Sequence, residues 1–461
     1  MIRALAAALL VAAASPAIAQ TIAITGGTVA LGDGSEPIAG GTVIIRDGRI
    51  AAAGANVAVP PGAQVIDARG KWVTPGIVAG FSRLGLSEVD LSGDGTTDDQ
   101  AAGGPFGAAI DVAPAVNPNN STIAINRADG ITRAVVAPNT AKSIFAGQGA
   151  VIDLGADMEP ITRARLFQFV EFGESGAATA GGSRASAYVL FRNALKEASE
   201  LRRYAPSISS TREAPDARDR PIVRNPSESR EYGPDAQRSE DVLLTRFDAA
   251  ALVPVLQGRQ YLLIHIERAR DILNVLQLKR DYPALKPVIV GASEGWLVAD
   301  RIAASGIPVI ASAVNDLPSS FEQLAATQSN VGRMRAAGVN VAIGMIDDND
   351  TRYLFNERQY AGNLVALTNV PGASGLRWGE ALAMITSRPA QILGLGREIG
   401  SLEPGRRADV VIWSDDPLQV SSNADMVLID GVQQPMDTRQ TKLRDRYKDL
   451  SRDVLPEAYR R

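Results

Sequence analysis

The chain has 461 residues, of which 45% are hydrophobic and 21% charged, so it can bury a large core. Its 47 Lys and Arg residues against 51 Asp and Glu residues give a net charge of −4, without the basic stripe that phosphate-backbone binding needs, and we predict no nucleic-acid partner. A single histidine, His265, and no cysteine exclude a histidine-rich zinc site and disulfide bonds.

Residues 1–19 have the pattern of a signal peptide. Arg3 supplies a positive charge, residues 4–14 are apolar, and Ala17-Ile18-Ala19 is a small-x-small cleavage site. A buried N-terminal helix is the alternative. We predict cleavage near Ala19 or Gln20 and a periplasmic or secreted mature protein. No later apolar run reaches the roughly 18 residues that a membrane span requires, so no span is predicted.

Strand-like sequence flanks a long central region of different character. Residues 20–73 contain short β-branched runs and are predicted to be mostly strands, with a tight hairpin at Asp47-Gly48. Strand character returns over residues 396–437, and residues 438–461 form a charged tail.

The central residues 74–395 alternate short apolar runs with amphipathic helical stretches. This alternation predicts parallel strands joined by helices, and at this length a closed (β/α)8 barrel of the TIM type is the economical α/β arrangement. Residues 205–240 interrupt the pattern, because they are rich in Ser, Arg, Pro and Asp, and we predict an exposed insertion there. This insertion has two interpretations, a lid over the barrel and a surface loop.

Two motifs near the ends of the chain resemble the amidohydrolase superfamily. Val-Ile-Asp-Ala-Arg-Gly-Lys-Trp-Val-Thr-Pro-Gly at residues 65–76 is similar to the opening of such proteins, and Gly-Ser-Leu-Glu-Pro-Gly-Arg-Arg-Ala-Asp-Val-Val at residues 400–411 is similar to their return from the barrel. The chain looks most like the imidazolonepropionase-related branch. The resemblance implies a TIM-type barrel, a small composite β-sandwich built from both chain ends, and metal-dependent hydrolysis of C–N bonds in amides or cyclic amides.

The resemblance also implies one or two divalent metals at the C-terminal mouth of the barrel. Phe81 and Arg83 stand where the family has its first pair of metal-binding histidines. Phenylalanine has no donor atom, and arginine stays protonated and repels a cation. Because side chains alternate along a strand, we expect both residues to face the barrel mouth and Ser82 to face away, which excludes Ser82 as a nucleophile for His265.

His265 and Asp347 are the candidate catalytic residues. His265 matches the family's histidine on the fifth barrel strand, and Asp347 is displaced by one residue from the catalytic aspartate position, which Ile346 occupies. A tetrahedral catalytic site needs three protein ligands, so we expect no cofactor, and a zinc-type metal only if the family site is retained. We consider two alternative roles for His265. It is either a hydrogen-bonded structural residue, or a ligand contact or lone acid–base group.

Arg83, Glu294 and Gln148 are the candidate binding residues. Arg83 places a fixed positive charge where the family binds a cation, so it is expected to pair with Glu294 or Asp347, or to bind an anionic group. Gln148 lies in Gly147-Gln148-Gly149, which resembles a turn near the active-site mouth of the branch. The expected ligand is small and anionic or contains an amide. Two functional classes follow: a hydrolase with impaired or lost activity, and a non-catalytic binding or scaffold subunit that partners an active paralogous amidohydrolase.

Overall fold

The structure, a computed structural model, describes residues 21–88, 97–204, 243–313, 315–346 and 351–448. The predicted signal peptide, the predicted insertion at 205–240 and Asp347 lie outside these residues, as does the end of the charged tail. Among the helices of the described ranges, none has the length and apolar character needed to cross a membrane.

The strands fall into two sheets. In chain order they are β1 (Thr21–Val29), β2 (Ile38–Arg46), β3 (Arg49–Gly54), β4 (Gln64–Asp67), β5 (Trp72–Pro75), β6 (Ile77–Ser82), β7 (Ile131–Val136), β8 (Phe145–Asp153), β9 (Ile161–Glu171), β10 (Tyr261–Ile266), β11 (Lys286–Gly291), β12 (Val309–Ala311), β13 (Val341–Ile343), β14 (Val410–Trp413), β15 (Ala424–Ile429) and β16 (Val432–Gln433). One sheet has the order β16-β15-β14-β5-β1-β2-β3, with β4 paired to β1. Both ends of the chain therefore contribute to this sheet, as the sequence predicted.

The hairpin between β2 and β3 shows how local sequence determines this sheet. Asp47 and Gly48 have φ angles of 53° and 70°, and Arg46 pairs with Arg49 across the turn. Two successive positive φ angles define the tight turn whose twist matches that of the strands, which explains the Asp-Gly pair. A Cβ atom on Gly48 would also lie 2.6 Å from the carbonyl oxygen of Asp430, so only glycine fits there.

The second sheet is a nearly closed barrel in which β6 to β13 follow one another in chain order. Between its two edge strands, the backbone N–H of Met345 donates to the carbonyl of Phe81 at 3.2 Å. The interior is packed with buried apolar side chains, including Val78, Phe81, Val135, Phe167, Phe169, Leu263, Val288, Val290, Ile310 and Ala342. The predicted barrel is confirmed.

One strand of the barrel contradicts the prediction of an all-parallel sheet. β8 pairs antiparallel with both β7 and β9, while the other neighbouring barrel strands pair in parallel. The connections on either side of β8, residues 137–144 and 154–160, contain no helix. A parallel crossover needs roughly a dozen residues or more, so these short connections force the chain to reverse.

Helices cover the outside of the barrel and extend to the charged tail. They are α1 (Ser121–Ala128), α2 (Glu174–Thr179), α3 (Arg184–Tyr204), α4 (Arg246–Leu256), α5 (Ala269–Asp281), α6 (Ala299–Ser305), α7 (Asn330–Ala336), α8 (Asn356–Ala366), α9 (Trp378–Met384), α10 (Ser387–Ile392) and α11 (Arg439–Tyr447). The Thr245 side chain caps α4 by accepting from the backbone N–H of Asp248. The tail helix α11 has a capping box at Thr438 and buries none of its residues.

A buried arginine joins the barrel to the sheet of the chain ends. Arg133 on β7 is fully buried, and its guanidinium binds both carboxylate oxygens of Asp409 at 2.8 and 2.9 Å. Asp430 lies 3.0 Å and Asp153 lies 3.4 Å from the same guanidinium. Asp409 directly precedes β14, so the paired charges position the returning chain against β7.

Candidate functional site

A cavity of about 350 Å³ opens among residues that lie at or beyond the C-terminal ends of barrel strands. Its walls carry charged and polar groups above an apolar base. The lining residues are Phe81, Arg83, Asn139, Thr140, Phe169, Glu171, Ser175, His265, Ser319 and Ile346. TIM-type barrels carry their functional sites at this face, because the loops that follow the strands converge there.

The end of β6 has the side-chain directions that its sequence predicts. Phe81 and Arg83 both line the cavity, whereas the hydroxyl of Ser82 donates to the carbonyl of Val135 at 2.8 Å and is fully buried. The Phe81 ring packs against Phe169 with centroids 5.3 Å apart. The Arg83 guanidinium lies 5.8 Å from the Phe81 ring centroid and donates to Asn139 Oδ1 at 3.2 Å.

His265 is held between two glutamates, and we call Glu171, His265 and Glu267 the histidine cluster. Nδ1 of His265 lies 2.8 Å from each carboxylate oxygen of Glu171, and Nε2 lies 3.0 Å from Oε1 of Glu267. The register of the barrel explains the first contact, since His265 on β10 is the backbone partner of Glu171 on β9. Period-two alternation explains the second, because Glu267 follows His265 by two residues.

The histidine cluster favours a protonated ring. Burial by itself would lower the pKa of His265, but the negative charges of Glu171 and Glu267 and their hydrogen bonds raise this pKa well above its usual value. Each ring nitrogen faces a carboxylate, which only accepts hydrogen bonds, so both nitrogens must donate. The contacts therefore favour an imidazolium, whose ring has no free lone pair.

Backbone amides hold the two carboxylates in place. Oε1 of Glu171 accepts from the N–H of Gly173 at 3.0 Å, and Oε2 of Glu267 accepts from the N–H of Ser293 at 2.7 Å. Gly291 has a φ angle of 96°, and a Cβ atom there would lie 2.5 Å from Oε1 of Glu267. The histidine cluster thus links the ends of β9, β10 and β11, and a glycine makes room for it.

Glu322 adds a buried carboxylate next to this cluster. Its Oε2 accepts from the N–H of Glu174 at 2.9 Å and from Arg184 at 3.0 Å. Burial raises the pKa of Glu322, and the hydrogen bonds from Glu174 and Arg184 oppose that rise. These contacts attach the loop that carries Ser319, one of the cavity residues, to the start of α2.

Two of the sequence-predicted binding residues lie away from the cavity lining. The Glu294 carboxylate accepts from the backbone N–H groups of Ala269 at 2.9 Å and Ala325 at 3.2 Å, so it caps α5 instead of facing Arg83. Gln148 lies within β8, where its side-chain oxygen accepts from Gln260 at 3.2 Å. The reversal of β8 explains this position, because the Gly-Gln-Gly stretch is part of a strand and not a turn at the barrel mouth.

Glu171 and Glu267, which surround His265, are not among the residues that the sequence predicted. The spacing of His265 and Glu267 is a usable signal, since side chains two positions apart on a strand share a face. Glu171 offered only its position at the end of an apolar run, because its contact depends on the register of two strands distant in sequence. Asp347 lies outside the described residues, and among those that are described no group of three or more His, Asp and Glu side chains is arranged to hold a metal ion.

Comparison with known proteins agrees with the fold and with the motif at residues 400–411. The model of the Amidohydrolase family matches residues 287–434. The 5-methylthioadenosine/S-adenosylhomocysteine deaminase of Desulforudis audaxviator is 30% identical over 163 residues, which are 32% of this chain and 37% of that protein. The imidazolonepropionase of Maricaulis maris is 37% identical over 129 residues, 26% of this chain and 31% of that protein. The alignments thus span about a third of the length of these curated relatives.

The solved structure of an amidohydrolase from Thermotoga maritima superposes on most of the chain. Its TM-score is 0.73 at 24% sequence identity, and the alignment covers 89% of this chain and 99% of that one. At this identity the likeness concerns the fold alone, a TIM-type barrel with a sheet built from both chain ends. The barrel, the match of the family model to residues 287–434 and the partial matches to these relatives all make the chain similar to amidohydrolases.

Proposed function

We propose that this chain is an exported, ligand-binding member of the amidohydrolase superfamily that does not perform metal-dependent hydrolysis. The observation that carries the proposal is the histidine cluster, in which both ring nitrogens of the single histidine face carboxylates. A zinc-type metal binds imidazole through a nitrogen lone pair, and a doubly protonated ring has none to offer. A metal at His265 would require the ring to lose a proton and to leave a carboxylate.

The first barrel strand supports the same conclusion. Phe81 and Arg83 occupy the cavity wall at the positions where the resemblance places two histidine ligands. The phenyl ring has no donor atom, and the guanidinium charge repels a cation. The described side chains therefore do not fit the divalent metal that the family implies.

The cavity itself supports a binding role. Its volume of about 350 Å³ is at the lower end of the range for small-molecule sites, roughly 300–1,000 Å³. Three apolar residues, Phe81, Phe169 and Ile346, line it together with seven polar or charged ones, so the cavity is suited to a small polar ligand with an apolar part. The other predicted role, a scaffold subunit for an active paralogous amidohydrolase, stays a prediction.

Metal analysis of the purified protein tests the proposal. After expression in medium supplemented with zinc and manganese, we expect far less than one metal ion per chain, and EDTA should leave thermal unfolding unchanged, because no metal contributes to stability. A screen of acylated amino acids and cyclic amides should show no turnover. Stoichiometric metal or turnover would contradict the proposal if His265→Ala abolished it. The exposed Gln433→Ala is the control and should retain it.

Export is tested separately. The sequence of residues 1–19 supports cleavage near Ala19 and Gln20. Mass spectrometry of the protein recovered from the periplasm or medium of its host should find an N-terminus at or near Gln20. Recovery only from the cytoplasm, with residues 1–19 intact, would show that the protein is not exported. That result would not bear on the metal-free binding role, which the metal analysis tests.

A further inference from the structure

The cavity carries opposite charges on two of its strands at matching positions. Phe81 on β6 is followed two residues later, just past the end of the strand, by Arg83, and on β9, Phe169 is followed two residues later by Glu171. All four side chains line the cavity. Two strands thus each present an aromatic ring and then a charged group toward the same space.

The contact between the two rings aligns these strands. The centroids of Phe81 and Phe169 are 5.3 Å apart, so the two rings meet inside the barrel at one level. Residues two apart on a strand share a face and are separated by about 6.6 Å along it. Arg83 and Glu171, each two residues beyond its ring, therefore lie nearer the mouth, where both line the cavity.

The side of the cavity that contains Glu171 is negative. His265 neutralises one carboxylate, but the histidine cluster contains two, Glu171 and Glu267. The Glu171 carboxylate accepts from one backbone amide and from His265, and it has further lone pairs for a donor in the cavity. Ser175 and Ser319, which also line the cavity, bring hydroxyl groups to the lining.

The side that contains Arg83 is suited to a carboxylate. A guanidinium presents several N–H donors in a plane, which matches the two oxygens of a carboxylate. Asn139 accepts from Arg83 and keeps an amide group at the cavity wall, and Thr140 adds a hydroxyl. Both polar side chains can donate to an anionic ligand group.

We propose that the cavity binds a small zwitterion of the amino-acid type, with its ammonium group toward Glu171, its carboxylate toward Arg83 and its apolar part against Phe81 and Phe169. The inference rests on the proposed function, since it assigns the cavity to a ligand instead of a metal-bound water. It sharpens the expectation of an anionic ligand, because it requires a positive charge on the ligand as well.

Three probes that share a phenyl ring separate the charge requirements. L-phenylalanine carries both charges, 3-phenylpropionate carries only the carboxylate, and 2-phenylethylamine carries only the ammonium. Isothermal calorimetry and thermal unfolding should show L-phenylalanine binding at least about tenfold more tightly than either other compound, a ratio typical of one lost charged contact. Equal or tighter binding of 3-phenylpropionate or 2-phenylethylamine, or no binding of L-phenylalanine, would overturn the proposal.

Two variants assign the charges to residues. Arg83→Met should weaken L-phenylalanine binding about tenfold or more while leaving 2-phenylethylamine binding unchanged. Glu171→Gln should likewise weaken L-phenylalanine binding while leaving 3-phenylpropionate binding unchanged. The exposed Arg301→Met and Glu36→Gln are the matched controls. If Glu171→Gln fails to fold, the comparison of Arg83→Met with Arg83→Lys decides, because the lysine keeps the charge and should retain part of the affinity.

The outcomes separate this inference from the proposed function. Unchanged L-phenylalanine affinity in Arg83→Met overturns the zwitterion site. Metal content is measured on the same preparations. A metal-free protein that fails to bind L-phenylalanine overturns only the ligand class, whereas stoichiometric metal overturns the proposed function itself.

Discussion

Nε2 of His265 lies 3.0 Å from Oε1 of Glu267, on the side of the ring opposite Glu171. The imidazolium thus connects two carboxylates that would repel each other without it. Through the backbone amides of Gly173 and Ser293, the same cluster ties together the ends of three barrel strands. The positively charged ring of His265 therefore occupies a position that the family resemblance assigns to a metal ligand.

The histidine cluster should make the stability of the protein depend on pH. The pKa of His265 is raised in the folded state, so its contribution is fully present below the unfolded pKa of about 6.5 and is lost as the pH rises through the folded pKa. Urea unfolding of the protein and of His265→Gln should show the largest difference in unfolding free energy near pH 6 and a shrinking one as the pH rises through the raised folded pKa. A difference that stays constant or grows with pH would contradict a charged His265.

Gly291 should be required for the position of Glu267. Gly291→Ala places a methyl group 2.5 Å from Oε1 of Glu267, on a backbone with a φ angle of 96°. Gly306→Ala is the matched control, because its φ angle is 68° and no atom lies within 4 Å of the added Cβ. Both should lose about 1–2 kcal/mol from the left-handed backbone, and Gly291→Ala should lose more. Histidine NMR in Gly291→Ala should also show a lowered His265 pKa, and equal effects in the two variants would exclude the proposed clash.

Arg133 should be essential for joining the barrel to the sheet of the chain ends. Arg133→Met leaves the carboxylates of Asp409 and Asp430 without their buried cation, and we expect a loss of about 3–5 kcal/mol in unfolding free energy. The matched control is Arg163→Met, which removes an exposed pair with Glu398 and should cost at most about 1 kcal/mol. Chemical denaturation measures both. Similar losses in the two variants would show that the burial of Arg133 and its carboxylate partners does not increase their contribution to the unfolding free energy.

Glu357 on α8 should destabilise the protein at neutral pH. Its side chain is fully buried, neither carboxylate oxygen has a hydrogen-bond partner among the described residues, and burial raises the pKa of this group well above its usual value. Since the folded state binds a proton that the unfolded state releases above about pH 4.3, stability falls as the pH rises through that range. Glu357→Gln should therefore be more stable than the parent protein at neutral pH and nearly equal to it near pH 4. The exposed Glu36→Gln should show no such difference at either pH, and a Glu357→Gln protein that is less stable at neutral pH would refute the assignment.

Much of the fold could be predicted from local sequence. The alternation of apolar runs and helical stretches predicted the barrel, and the Asp47-Gly48 pair predicted a hairpin that the structure contains. The period of two along a strand also predicted that Phe81 and Arg83 face the cavity while Ser82 faces away. These features depend on neighbours in sequence, so the sequence alone is sufficient to infer them.

Only the tertiary structure decided which charged groups meet. Glu171 reaches His265 because β9 and β10 pair in one register, and Glu294 caps α5 because a loop brings its carboxylate to two backbone amides. Gln148 lies away from the cavity because the short connections around β8 reverse that strand. The sequence by itself determined the resemblance to amidohydrolases, the barrel and the scarcity of metal-binding side chains. The partners of the single histidine were decided by strand register and packing, which join residues far apart in the chain and leave no local pattern.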